Sequence, residues 1–180
     1  MEFDALIAKR RSIRHFDESK PVTKQQLEEI IRTAMEAPSW KNYQTARFHC
    51  ILDKKLKDEF LEMALPPFNA KNSLGAGAIV VTTFIKDRSG FDKKTASPVN
   101  ECGNGFGYYD LGLNNQNFVL KAADMGLGTL IMGIRDKAAI CRLLDIGNDE
   151  EVVSVIAVGY PSKDSPRPER KATAVVAKFY

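Results

Sequence analysis

The runs "GAIVVTTFI" (residues 77–85) and "EVVSVIAVGYP" (residues 151–161) constrain this chain more than any other feature. Successive side chains of a strand point to opposite faces, so a run without apolar–polar alternation needs cover on both sides. Two such runs predict the middle of a sheet, and the helical stretches around them supply the cover. The expected class is α+β, with central strands flanked by helices. The 180 residues show no repeat, low-complexity stretch or interdomain linker, so residues 1–180 read as one domain.

Helical spacing recurs between the strands. "FDALIAKRRS" (3–12) is a short amphipathic helix with Phe3, Leu6 and Ile7 on one side. In "VTKQQLEEIIRTAMEAP" (22–38), Thr23 and Gln26 form a capping box, Leu27, Ile30, Ile31 and Ala34 make the apolar face, and Pro38 ends the segment. "RFHCILD" (47–53) reads as a strand and "KKLKDEFLEMAL" (54–65) as a helix. Residues 91–106 lack periodicity and read as a loop or mobile cover. A long helix follows in "YYDLGLNNQNFVLKAADMGLG" (108–128), with Leu111, Phe118, Val119, Ala122 and Ala123 inward and Gly126 or Gly128 as its stop. "TLIMGI" (129–134) is a short strand, "DKAAICRLLDI" (136–146) a helix capped by Asp136, and "KATAVVAKFY" (171–180) a final strand.

Composition removes several function classes. Lys and Arg number 26 against 23 Asp and Glu, a net charge of +3 spread among acids, which does not argue for nucleic acid. No apolar run is long enough for a membrane helix, and "MEFDALIAKRR" has neither the apolar core nor the cleavage site of a signal peptide. Cys50, Cys102 and Cys141 are widely spaced without a CxxC, which reads as reduced thiols in a cytoplasmic protein and gives no metal site. The sequence holds no GxSxG, HExxH or Walker loop, and neither His15 nor His49 has an acid or thiol partner nearby in sequence. No catalytic residue is therefore assigned. Several cofactor-like loops without a catalytic constellation imply that a cofactor carries the chemistry.

Four stretches are candidates for holding it. "RRSIRHF" (10–16) gathers Arg10, Arg11, Ser12 and Arg14, good phosphate ligands that also suit the C-terminal end of a helix dipole. "APSWKNYQTARF" (37–48) reads either as a helix stop and loop or as a set of hydrogen-bonding groups beside the flat face of Trp40. "GLGTLIMGI" (126–134) has glycines between a helix and a strand, the reverse of a dinucleotide phosphate loop, yet Gly133 permits close backbone approach to a flat ligand. "GYPSKDSPRPERKATAVV" (159–176) collects Arg167, Arg170 and Lys171 in a Pro-rich loop.

In this order and spacing, "RRSIRHF", "APSWKNYQ", "QNFVLKAADMGLG" with "TLIMG", and "AVGYP…RK" resemble the FMN-dependent nitroreductase family, among its small members. The resemblance runs from about Phe3 to the C-terminus. It implies an FMN-binding α/β sandwich with a mixed, mainly antiparallel sheet, and a homodimer with FMN sites at the subunit interface. It assigns Arg10 and Ser12 to the FMN phosphate, Arg11 beside them through its main chain, and Arg14 to the pyrimidine edge. Pro38, Ser39, Trp40 and Asn42 match the loop that reaches the flavin from the other subunit, and Asn69 matches a polar contact to the ring. Ile131, Met132 and Gly133 match the strand whose main-chain N–H groups face flavin N5, and Arg170 and Lys171 match a second basic pair at the phosphate. The C-terminal segment is expected to cross to the second subunit's sheet.

Two positions depart from the family pattern. Asn42 and Gln44 of the "SxxNxQPW" stretch are kept, but Thr45 and Ala46 replace its Pro-Trp, and Trp40 stands where a small residue is common. The implied activity is a ping-pong oxidoreductase that takes hydride from NADH or NADPH and reduces nitroaromatic, quinone or flavin-type acceptors. The alternatives are another flavoenzyme reaction on the same fold, such as dehydrogenation or dehalogenation, and a flavin-binding redox sensor.

Overall fold

A computed structural model describes residues 2–180. Its centre is a sheet of four strands: β1 (Ala46–Ile51), β2 (Ala78–Ile85), β3 (Gly128–Met132) and β4 (Glu150–Gly159), in the spatial order β1-β2-β4-β3. The two runs that lack alternation are β2 and β4, and they occupy the middle. All three strand pairings are antiparallel, and the one parallel element is an isolated bridge between Ser12 and Thr129. The sheet is thus mixed only through that bridge.

Alternation along the two central strands divides the core. Ile79, Val81, Val155 and Ala157 face one layer, shared with Phe60, Ala64 and Ile140 from α3 (Lys54–Ala64) and α6 (Lys137–Leu144). Ala78, Val80, Ile156 and Val158 face the other, shared with Leu27, Ile30 and Phe118 from α2 (Lys24–Ala34) and α5 (Gly105–Asp124). Opposite Thr82 and Thr83, β4 carries an extra residue at Val153 between the partners Ser154 and Val152, a bulge that re-aims the strand end.

The helix signals act as read. Thr23 Oγ1 accepts from the Gln26 backbone at 3.2 Å while Gln26 Oε1 accepts from the Thr23 backbone at 2.9 Å. Asp136 caps α6 through the Ala139 N–H, and α5 stops where Gly126 takes φ +80° and Leu127 N–H reaches the Ala122 carbonyl.

Three expectations are corrected, and one short helix was not foreseen. α1 (Phe3–Lys9) ends before the arginine cluster instead of running through it, and it buries none of its residues. A short α4 (Pro67–Asn72) follows α3, started by a proline at its first position. α5 begins at Gly105, three residues before its apolar stripe becomes readable. The tail is not a strand: α7 (Thr173–Val176) lies between extended segments, with Val175, Val176, Phe179 and Tyr180 exposed. A strand exists only by pairing, and among the described residues no strand pairs with the tail.

Candidate functional site

The arginine cluster sits between the end of α1 and the start of β3. Ile13 N–H donates to the Thr129 carbonyl at 2.9 Å, which lays residues 12–13 along the outer edge of β3. Asp17 N–H then reaches the Tyr160 carbonyl, and Ser162 N–H the His15 carbonyl, so the segment after β4 runs back beside the cluster. Arg10, Arg11, Ser12 and Arg14 therefore share a cavity of about 330 Å³ with Arg170, some 160 residues later in the chain.

Its electrostatics are one-sided. No carboxylate pairs with Arg10, Arg11, Arg14 or Arg170 among the described residues. Burial lowers the pKa of Arg10, and the charges of Arg170 and Arg11 lower it further. Asp164 also lines the cavity but pairs with none of them, so four arginines face one carboxylate, and such an excess of cations is relieved when an anion arrives. Arg11 Nη1 turns to the Arg10 carbonyl at 2.6 Å and Arg170 Nη1 to the carbonyls of Pro168 and Glu169, which orients both guanidiniums from the backbone. Lys171 lies in the exposed tail and is not part of this cavity's wall.

Arg14 also lines a second cavity of about 340 Å³, with Asn69, Ile131, Met132 and Gly133. The two hollows are neighbours through that one side chain. Because the Thr129 carbonyl points outward to Ile13, alternation turns the main-chain groups of Ile131 outward as well, away from β4. Ile131 is 48% exposed, and a Cβ built on Gly133 would meet nothing within 4 Å. The end of β3 is therefore an open edge with free N–H groups. It is held in shape by Asn69 Nδ2, which donates to the Ile134 carbonyl at 2.9 Å, and by Arg135, which donates to the carbonyls of Gly133 and Val152. Asn69 thus commits one amide N–H to the segment after β3 and keeps its second N–H and Oδ1 for other partners. Met132 turns its side chain inward, where its sulfur accepts from Ser73.

Pro38, Ser39, Trp40 and Asn42 are not brought to these hollows, whose walls contain no residue of that loop. Their loop leans on the N-terminal part of α5. The Trp40 N–H donates to buried Asp110 at 3.0 Å, the same carboxylate oxygen accepts from Ser89 Oγ at 2.7 Å, and the Trp40 ring rests on Phe106 with centroids 4.4 Å apart. The arginines lie near Ala123, at the opposite end of α5, about 20 Å away along the helix axis. Lys41, Asn42 and Gln44 all have positive φ, a left-handed backbone that costs residues with a Cβ about 1–2 kcal/mol each. The loop is held in this shape by its anchor, and Trp40 Nε1 is buried with no partner.

Two side chains important here carry no motif. Asp110 had a signal: with Asn114, Phe118 and Ala122 it falls at four-residue intervals on the buried stripe of α5, where a carboxylate requires partners. Arg135 had none, because its acceptor on β4, the Val152 carbonyl, lies 17 residues away and meets it only in the folded chain. Among the described residues no group of three or more His, Cys, Asp or Glu could hold a metal ion. No helix among them is long and apolar enough to cross a membrane.

Comparison with known proteins decides the family. The nitroreductase family matches residues 7–160 of the 180. The chain belongs to that family. MhqN of Bacillus subtilis strain 168, which is named for NAD(P)H nitroreductase activity, is 25% identical over 93% of this chain and 92% of its own. A nitroreductase family protein of Streptococcus pneumoniae TIGR4 superposes with a TM-score of 0.85 at 20% identity, covering 99% and 100% of the two chains. A solved structure described as the oxidoreductase containing FMN superposes at 0.76 with 25% identity, covering 91% and 79%. The nitroreductase fold expected from the motifs is the fold found.

Proposed function

We propose that this nitroreductase family member is an FMN-dependent oxidoreductase using NADH or NADPH. The observation that carries the reading is the unpaired arginine cavity continuing, through Arg14, into the open edge of β3. That arrangement fits FMN. Arg10, Ser12 and Arg170 would hold the phosphate, with Arg11 alongside and Lys171 able to join from the tail. Arg14 would lie between phosphate and ring and favour negative charge on the ring's pyrimidine edge. Ile131 and Gly133 would offer N–H groups to the ring, with Asn69 and Arg135 keeping that strand end in place. The names of the FMN-containing oxidoreductase and of the NAD(P)H nitroreductase MhqN support the same cofactor and reductant.

FMN, when bound, would supply two-electron chemistry between the nicotinamide and a nitroaromatic, quinone or flavin-type acceptor, in ping-pong order. The chain's own contribution is binding, orientation and positive charge, and the surrounding solvent supplies protons. The separation of the 38–42 loop from the arginines within one chain supports a homodimer. In it Pro38, Ser39, Trp40 and Asn42 would reach the flavin of a second copy, with the exposed tail packing across the same interface. A cytoplasmic location goes with this reading.

The test is an anaerobic absorbance titration of the purified protein with FMN, then with NADH and NADPH. Flavin bands that bind and bleach are expected. Bands that bind but persist would point to a flavin sensor, and absence of binding would remove the reading.

A further inference from the structure

A cavity of about 530 Å³ lies beside the 38–44 loop and shares no wall residue with the two hollows assigned to FMN. That volume falls in the range of cavities that take small organic ligands. Ile85 and buried Phe91 give it apolar surface, and Tyr43 gives it a flat ring. Arg47, Arg88 and Lys93 are its cations. Lys93 Nζ stands 4.6 Å from the centre of the Tyr43 ring, so positive charge and π face are already assembled. Arg47 Nη1 is fixed on the carbonyls of Gln44 and Ala46, which leaves the rest of its guanidinium fork available.

No carboxylate forms a salt bridge with these three cations among the described residues, although the Arg47 charge also acts on Glu150. The two acids of the wall have other partners. Asp87 accepts from Asn104 Nδ2 at 2.9 Å, and Asp92 Oδ1 accepts from the backbone N–H groups of Lys94 and Thr95 at 2.9 and 3.0 Å. Neutral donors hold both carboxylates in place without cancelling their charge, so three cations against two acids leave the wall with a small positive excess. A guanidinium fork and a compact ammonium together suit a phosphate better than a neutral ligand.

We propose that this cavity binds the phosphate-bearing half of the nicotinamide dinucleotide, with Arg88 and Lys93 on phosphate. The inference rests on the flavin reading, because the adjoining loop is the one that carries Trp40 and Asn42 to the flavin of a second copy. The phosphate has two sources: the pyrophosphate common to NADH and NADPH, or the 2′-phosphate of NADPH alone.

The experiment is calorimetric titration of the full-length protein, with and without FMN, using 5′-ADP and 2′,5′-ADP as probes. The wild-type chain should bind at least one probe, and Arg88→Ala with Lys93→Ala should weaken that binding about tenfold or more. FMN retention should not change in the double variant. Tighter binding of 2′,5′-ADP assigns the 2′-phosphate, and equal binding assigns the common phosphate; both uphold the proposal. No binding of either probe to wild type, or binding untouched by the double substitution, overturns it. Failure of the flavin reading shows separately, as wild type that retains no FMN, and leaves the FMN-free titrations readable.

Discussion

Arg10 carries its role in its surroundings. It is half-buried beside Arg11 and Arg170 with no carboxylate paired to it, an arrangement that does little for the empty fold. Arg10→Ala is therefore expected to weaken FMN binding at least about tenfold while leaving the FMN-free melting temperature within a few degrees. Fluorescence titration and thermal unfolding on the same samples check both halves. Glu150 is the contrasting residue, with a structural role on the sheet. Burial opposes its ionisation, but hydrogen bonds from Thr83 and His49, aided by the charges of His49 and Arg47, outweigh it and hold the carboxyl below its usual pKa. His49 Nε2 lies 2.8 Å from Glu150 Oε2. A folded-state pKa below the unfolded one gives stability that is present above the unfolded value and is lost as pH falls through the folded one. Thr83→Val removes one donor and should move the acid-unfolding midpoint to higher pH, read by circular dichroism; an unmoved midpoint would show that this bond contributes nothing. His49 had no visible partner in sequence because Glu150 is 101 residues away and meets it only across β2.

Elements show where sequence patterns suffice. α2 was readable to its capping box because all its determinants, Thr23, Gln26 and the stripe at Leu27, Ile30 and Ala34, are local. The Phe118 side of α5 was readable for the same reason, yet the helix's first turn was not. Gly105 and Gly107 carry no helical signal, and the reason for Gly107 lies in packing: a Cβ there would meet the Phe84 ring at 2.3 Å. Gly107→Ala, an improvement by helix propensity alone, is accordingly expected to destabilise the fold by about 1–3 kcal/mol through overpacking against β2. Urea unfolding at equilibrium measures it. A gain in stability would mean that Phe84 yields without cost. The tail failed as a strand because β-propensity in "ATAVV" describes what a segment can pair as, and never supplies a partner.

At the scale of the whole molecule, much apolar surface is left unpaired. α1 buries no residue, Phe3 is 68% exposed, and the tail exposes Phe179 almost fully. In the proposed homodimer this surface has a partner, so deleting residues 172–180 is expected to shift the assembly toward monomer in sedimentation and lower FMN retention with it. A truncated protein that stays dimeric would place the interface elsewhere. By itself the sequence determined the α+β class, the two central strands, the helix caps and the basic clusters, since each depends on neighbours within a few turns of chain. The phosphate side of the candidate site was legible for that reason: Arg10, Ser12 and Arg14 are adjacent. Tertiary structure decided the rest. It brought Arg170 to Arg10, tied the Trp40 loop to Asp110, and kept that loop at the far end of α5 from the arginines. Those distances depend on which strand pairs with which, and no local pattern encodes a separation across a sheet.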